Sequence, residues 1–127
     1  MIDLDQHPCC GRNLDRLIQP AVLLQLARDA LHGYALIQAL EESPMFAGSR
    51  PDPAGVYRYL KAMELRGLVS SEWDTAKSGP AKRIYRITKD GLACLDRWMD
   101  SLRAHRDSIQ ALLAEADGLS GRGGRKE

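Results

Sequence analysis

Through the middle of the chain the apolar positions recur on a helical spacing. Val56, Leu60, Met63 and Leu65 are read as one stripe, predicting a helix from Ala54 that is buried along one side. Arg58, Lys61 and Arg66 fall largely outside that stripe, and Gly67 is placed to take the left-handed conformation that ends helices. The pattern then changes. Leu68 to Asp74 mixes apolar and polar residues and contains Val69 and Trp73, the tryptophan expected in the core. Thr75 to Ala81 is polar and holds Gly79-Pro80, a turn signal, and Arg83 to Ile87 is strand-prone with Ile84, Tyr85 and Ile87 apolar. Two short strands joined by a basic loop are expected, with Thr88 capping the next helix.

Upstream, residues 1–12 are irregular and contain His7-Pro8-Cys9-Cys10. A strongly apolar helical region follows from about Asn13 to Ala30, which Pro20 opens or kinks. His32-Gly33 breaks it. Tyr34 to Glu42 reads as a second helix with Leu36, Ile37 and Leu40 inward, and Ser43 to Pro53, with three prolines and a glycine, as loop. Downstream, Leu92, Leu95, Met99, Leu102, Ile109, Leu113 and Ala116 fall at alternating three- and four-residue steps, interrupted by Arg106. A helix over 89–116 would run about 40 Å at 1.5 Å per residue, longer than so small a domain covers alone. A seam of that kind calls for a partner helix, and a second copy is the simplest partner. Residues 117–127 are glycine-rich and expected to be disordered.

The 127 residues suit one domain with its own core. No apolar run of about 18 residues suggests a membrane span, and an acidic start unlike a signal peptide places the expected protein in the cytoplasm. Three cysteines, an odd number, argue against a disulfide framework. The net charge of +1 hides a strong asymmetry: residues 50–89 carry nine basic and four acidic side chains, and the segments on either side are net negative. The positive charge therefore sits on the central helix and the hairpin, as phosphate contact requires.

The expected fold is mainly α with a small β-hairpin: a winged helix-turn-helix over 13–88 and a long C-terminal dimerisation helix over 89–116. A basic amphipathic helix feeding a wing is what a winged helix presents to DNA. Arg58 and Lys61, one turn apart, would face the major groove, where arginine can pair with guanine. Tyr57 offers a hydroxyl to phosphate or a base edge, or supports the helix. Lys77, Lys82 and Arg83 would reach the backbone or minor groove from the wing. Tyr34, beside His32 at the start of the second helix, either packs or meets phosphate through that helix's amino terminus, and Arg50, in the loop leading into the recognition helix, and Gly55, in its first turn, are further candidate DNA contacts. On the effector side, Cys9 and Cys10 are candidates for metal or thiol redox, although adjacent cysteines suit one ion poorly. Trp98 could stack on a planar ligand, and Cys94 reads as packing. No cofactor is evident. No His-Glu-x-x-His, phosphate loop, spaced Cys pair or Gly-x-Ser-x-Gly is present, which argues against an enzyme. A winged helix serving as a protein-interaction module is the alternative, disfavoured by the basic concentration at 50–89.

Leu31-His-Gly-Tyr34, Gly55-Val-Tyr57, Leu60 through Gly67-Leu-Val69, Tyr85-Arg-Ile-Thr88 and Gly91 form an ordered set of short motifs. By these motifs and their spacing the chain resembles the PadR family of bacterial transcriptional regulators. The resemblance covers about residues 20–115 and looks like the smaller branch with a single C-terminal helix. It implies a homodimer that represses by occupying a palindromic operator and is released by a small effector. Ser78-Gly-Pro-Ala-Lys-Arg83 departs from the family's usual wing turn, and Arg58 stands where a proline or small residue is usual.

Overall fold

A computed structural model describes residues 17–46, 49–75 and 82–121, with the side chains of 120 and 121 excepted. Four helices and three strands follow in the order α1 (Ile18–Arg28), β1 (Leu31–His32), α2 (Gly33–Glu42), α3 (Pro53–Leu65), β2 (Val69–Asp74), β3 (Lys82–Ile87) and α4 (Lys89–Gly121), with a 3₁₀ turn at Pro44–Phe46. Contacts divide the chain into two units, the first ending at Leu95 and the second starting at Asp96. Cys9, Cys10 and Lys77 lie outside the described residues.

The first unit is a helical cluster on a small antiparallel sheet. Val22, Leu23 and Leu26 of α1 are buried together with Leu36, Ile37 and Leu40 of α2 and Val56, Leu60 and Met63 of α3. The three-helix core is thus built from the 3.6-residue stripes that the sequence displays. Leu65 departs from its expected place. It is nine residues beyond Val56, a rotation of about 180° at 3.6 residues per turn, and it is 82% exposed. Its position continues the outer row of Arg58 and Lys61. Leu65→Ala should therefore change stability by less than about 0.5 kcal/mol, as exposed substitutions do, whereas Leu60→Ala, at a fully buried site, should cost about 2–5 kcal/mol. Paired urea denaturation curves check both.

The helix starts and stops have local causes. Asp52 caps α3, its carboxylate accepting from the Gly55 N–H at 3.2 Å, and Pro53 fills the first turn. Gly67, with φ of 78°, ends it in the left-handed region. Thr88 then joins two elements: its hydroxyl donates to the Gly67 carbonyl at 2.6 Å and accepts from the Gly91 N–H at 3.0 Å. The expected cap of α4 is present and also anchors the end of α3.

The sheet order is β1-β3-β2. The expected hairpin pairs Val69 with Ile87 and Asp74 with Lys82, and Leu31 and His32 add a third strand opposite Tyr85 and Ile84. The His32-Gly33 break between helices is therefore also a strand. On one face of the hairpin, cover fades from Val69 (2% exposed) to Trp73 (60%) as the strands run toward their turn. Trp73 is thus a surface residue, not core. α4 continues to Gly121, beyond the expected end at 116 and through Gly118. Leu95 is buried within the first unit, while Ile109, Leu112, Leu113 and Leu119 in the second unit are exposed. No helix among the described residues is long and apolar enough to cross a membrane.

Candidate nucleic-acid interface

The outer face of α3 carries the first part of the site. With Val56, Leu60 and Met63 turned inward, Tyr57, Arg58 and Lys61 are left exposed. Arg58 and Lys61 stand three residues apart, on the same side of the helix. Gly55, expected as a contact, serves the Asp52 cap, and a Cβ there would sit 3.6 Å from the Arg58 guanidinium.

Tyr57 leans toward α2. Its ring lies over Gly33, where a Cβ would come within 2.7 Å of a ring carbon. A side chain at position 33 would have to displace this ring, which lies against α2 while the tyrosine remains 43% exposed. Tyr34, in the first turn of α2, is 67% exposed, with Gln38 Nε2 donating to its hydroxyl at 3.4 Å.

The wing base supplies the third part. Lys82 is exposed at the start of β3. Arg83, its neighbour, is held inside the wing: Nε donates to Ser71 Oγ at 2.8 Å, and the guanidinium lies 5.1 Å from the Trp73 ring centre. Ser71 in turn donates to Glu64 Oε2 on α3 at 2.7 Å. On the opposite face of the sheet, His32 Nε2 meets Asp74 Oδ2 at 3.0 Å and Arg86 faces Glu72 at 3.7 Å. These links tie the wing to α3 and to the strand before α2.

The three parts meet. A solvent-open hollow of about 260 Å³ is lined by Tyr34, Tyr57, Lys82 and Arg83 with His32, Gly33 and Tyr85. Four of the residues singled out from the sequence are thus brought together beside the amino terminus of α2, whose free N–H groups favour an anion. Burial, the largest influence, holds the Tyr85 phenol above its ordinary pKa; Arg83 pulls it back while Glu64 and Tyr57 push it up. Tyr85 is therefore neutral and leaves the local positive charge to Lys82 and Arg83.

Other expected residues lie elsewhere. Arg50 pairs with Glu41 at 2.6 Å and so fastens the loop before α3 to α2. Trp98 is half-buried on α4 in the second unit. Sequence reasoning did not reach Glu64 and Ser71. Their signal is a hydroxyl placed between an acid and an arginine, which only the hairpin register reveals.

The sequence profile described as the transcriptional regulator PadR-like family matches residues 22–97. No curated protein sequence matches the chain. Among solved structures, a candidate transcriptional regulator from Thermoplasma acidophilum is 31% identical, with 81% of this chain and 96% of that one covered and a TM-score of 0.69. A PadR family transcriptional regulator from Eggerthella lenta is 26% identical, covering 84% and 90% at a TM-score of 0.68. A PadR family regulator from Clostridium difficile, 22% identical over 76% and 97%, shares the fold at a TM-score of 0.66.

Proposed function

We propose a function from one premise: the chain belongs to the PadR-like family of transcriptional regulators, and it is a DNA-binding regulator. The finer reading is a homodimeric repressor that acts in the cytoplasm, occupies a palindromic operator and is released by a small effector. The recognition helix is α3, which enters the major groove with Arg58 and Lys61 foremost. Tyr34, Tyr57 and Lys82 meet the flanking backbone, and the wing follows it outward. The effector would act through Trp98 or through Cys9 and Cys10.

One observation carries this reading. Arg58 and Lys61 are exposed on the outer face of a capped, core-anchored helix, and the hollow beside it gathers the wing cations and two tyrosines. A solvated charged surface needs no such convergence. A protein-interaction module, the competing reading, would not concentrate nine basic side chains in residues 50–89.

The test is duplex binding measured against salt. Arg58→Ala with Lys61→Ala should weaken binding at least tenfold and lower the slope of log affinity on log salt by about one, for the phosphate that Lys61 no longer neutralises. If Arg58 reads guanine, its single variant should also relax discrimination at one operator position by about 1–3 kcal/mol. Unchanged affinity and slope in the double variant would favour the protein-interaction reading.

A further inference from the structure

We infer that Glu64 and Ser71 are positioning residues for DNA binding, because they hold the wing's Arg83 at a fixed place relative to the recognition helix. The inference rests on the DNA-binding reading above. Glu64 is one residue from the end of α3, and Ser71 lies in β2 opposite Tyr85. Between them runs a relay: Arg83 Nε donates to the Ser71 hydroxyl, and that hydroxyl donates to the Glu64 carboxylate. On the neighbouring strand, Trp73 is paired with Arg83 and its ring centre lies 5.1 Å from the guanidinium carbon. The bond to Ser71 takes Nε and not the two terminal nitrogens, which are the pair suited to a phosphate.

The placement of Glu64 is otherwise unfavourable. A carboxylate in the last turn of a helix faces the negative end of the helix dipole, and this one lies in the most basic stretch of the chain. An acid beside DNA also repels it. The relay gives that acid a use. It polarises Ser71 and fixes a long side chain whose rotamer freedom would otherwise be lost on binding, so the ordering is complete before DNA arrives. It also joins α3 to the wing, so that helix and wing meet the duplex as one rigid surface.

The reading makes a prediction opposite in sign to simple electrostatics. Removing a surface acid should tighten binding to a polyanion. Here Glu64→Ala should weaken it by about three- to tenfold, a cost like that of giving up one phosphate ion pair, while Glu64→Gln, which keeps an acceptor for Ser71, should bind at least as well as the parent. Ser71→Ala should weaken binding to the same extent, and Ser71→Thr, which keeps the hydroxyl, should not. In an Arg83→Ala background none of these changes should weaken binding further. The probe is a mixed-sequence duplex of about 30 base pairs at several salt concentrations, which reads backbone contact without a known operator.

A second readout in the free protein is the Arg83 Nε–H signal in nitrogen–proton spectra. It should shift and exchange faster in Ser71→Ala and Glu64→Ala. Tighter duplex binding by Glu64→Ala, or unchanged binding by Ser71→Ala where Arg83→Ala weakens it, would overturn the inference. A parent protein that binds no duplex would instead overturn the DNA-binding reading on which it rests, whatever the Nε–H signal does.

Discussion

Gly91→Ala is expected to destabilise the protein by about 3 kcal/mol, the upper part of the range for forced overpacking. For a chain of this size that corresponds to a fall in melting temperature of roughly 10 °C. Gly91 lies in the first turn of α4, against the strand entry. A Cβ there would overlap the Leu68 carbonyl oxygen and come within 2.6 Å of Ile87 Cγ1. Neither neighbour can yield cheaply. The Leu68 carbonyl accepts from the Thr88 N–H at 3.1 Å, and the Thr88 hydroxyl caps the Gly91 N–H while holding the Gly67 carbonyl. Shifting α4 to admit one methyl group would therefore strain the cap of α4, the end of α3 and the start of β2 together. Gly118 provides the matched control on the same helix, with nothing within 4 Å of its would-be Cβ. There Gly→Ala should stabilise by about 0.5–1 kcal/mol through the helix preference alone. Urea denaturation at one fixed protomer concentration reads both changes, since any dimer makes stability depend on concentration. Equal stability of Gly91→Ala and the parent would mean that α4 does not start in this close contact.

The same residues show where the sequence is legible and where it is not. The inward faces of α2 and α3 can be read directly because the core is lined by residues repeating at the helical period, and α1 is legible as a strongly apolar helical run. Gly67 and Thr88 are legible because a left-handed residue and a cap are local requirements. Leu65 is misplaced because it follows Met63 by two residues, a step that crosses the helix. Trp73 is misplaced because its strand parity is inward, while the cover over that face gives out toward the turn. The Asp52-Pro53 start of α3 is written plainly as a cap followed by a first-turn proline, yet a segment rich in prolines reads more readily as loop. β1 has two residues and no periodicity at all, and exists only because β3 lies alongside it. Gly118 resembles a stop, but a single glycine costs a helix only about 1 kcal/mol, and α4 runs on to Gly121.

At the candidate interface, the exposed cations of α3 follow from the core stripe by exclusion. The convergence of Tyr34, Tyr57, Lys82 and Arg83 does not, because α2, α3 and β3 are distant in sequence and meet only in the fold. Arg83 shows the difference best. As a basic residue in a wing it reads as a DNA contact; that Ser71 takes its Nε and that the Trp73 ring lies beside its guanidinium emerges only from the hairpin register. Arg50 reads as a flanking contact and is engaged by Glu41. Charge counts locate the positive segment; the pairings that hold its cations in place are visible only in the fold.

The largest effect on function is expected from the second unit. On the homodimeric reading proposed above, Ile109→Asp with Leu113→Asp should yield monomers and lower affinity for a palindromic duplex by about 10²–10⁴-fold, the loss that follows when two linked half-site contacts become independent. The motive is an uncovered apolar row. Ile109, Leu112, Leu113 and Leu119 are 49%, 65%, 57% and 58% exposed. They recur at three- and four-residue steps and beyond, so they share one side of a helix. A helix of 33 residues extends about 50 Å, and four large aliphatic side chains along one side of it favour burial against a matching helix. Two aspartates in that row would each have to be desolvated on association, a cost well above the contact energy they replace. Ala111→Asp with Ala114→Asp is the control: it adds the same charge on the opposite side of the helix and should leave both association and DNA affinity nearly unchanged. Sedimentation velocity measures the mass, and duplex titration of the same samples measures the affinity. A dimer that survives Ile109→Asp with Leu113→Asp would remove this row from the interface. A monomer that still bound the palindrome with full affinity would break the link between pairing and recognition, because a single α3 would then account for all of the specificity.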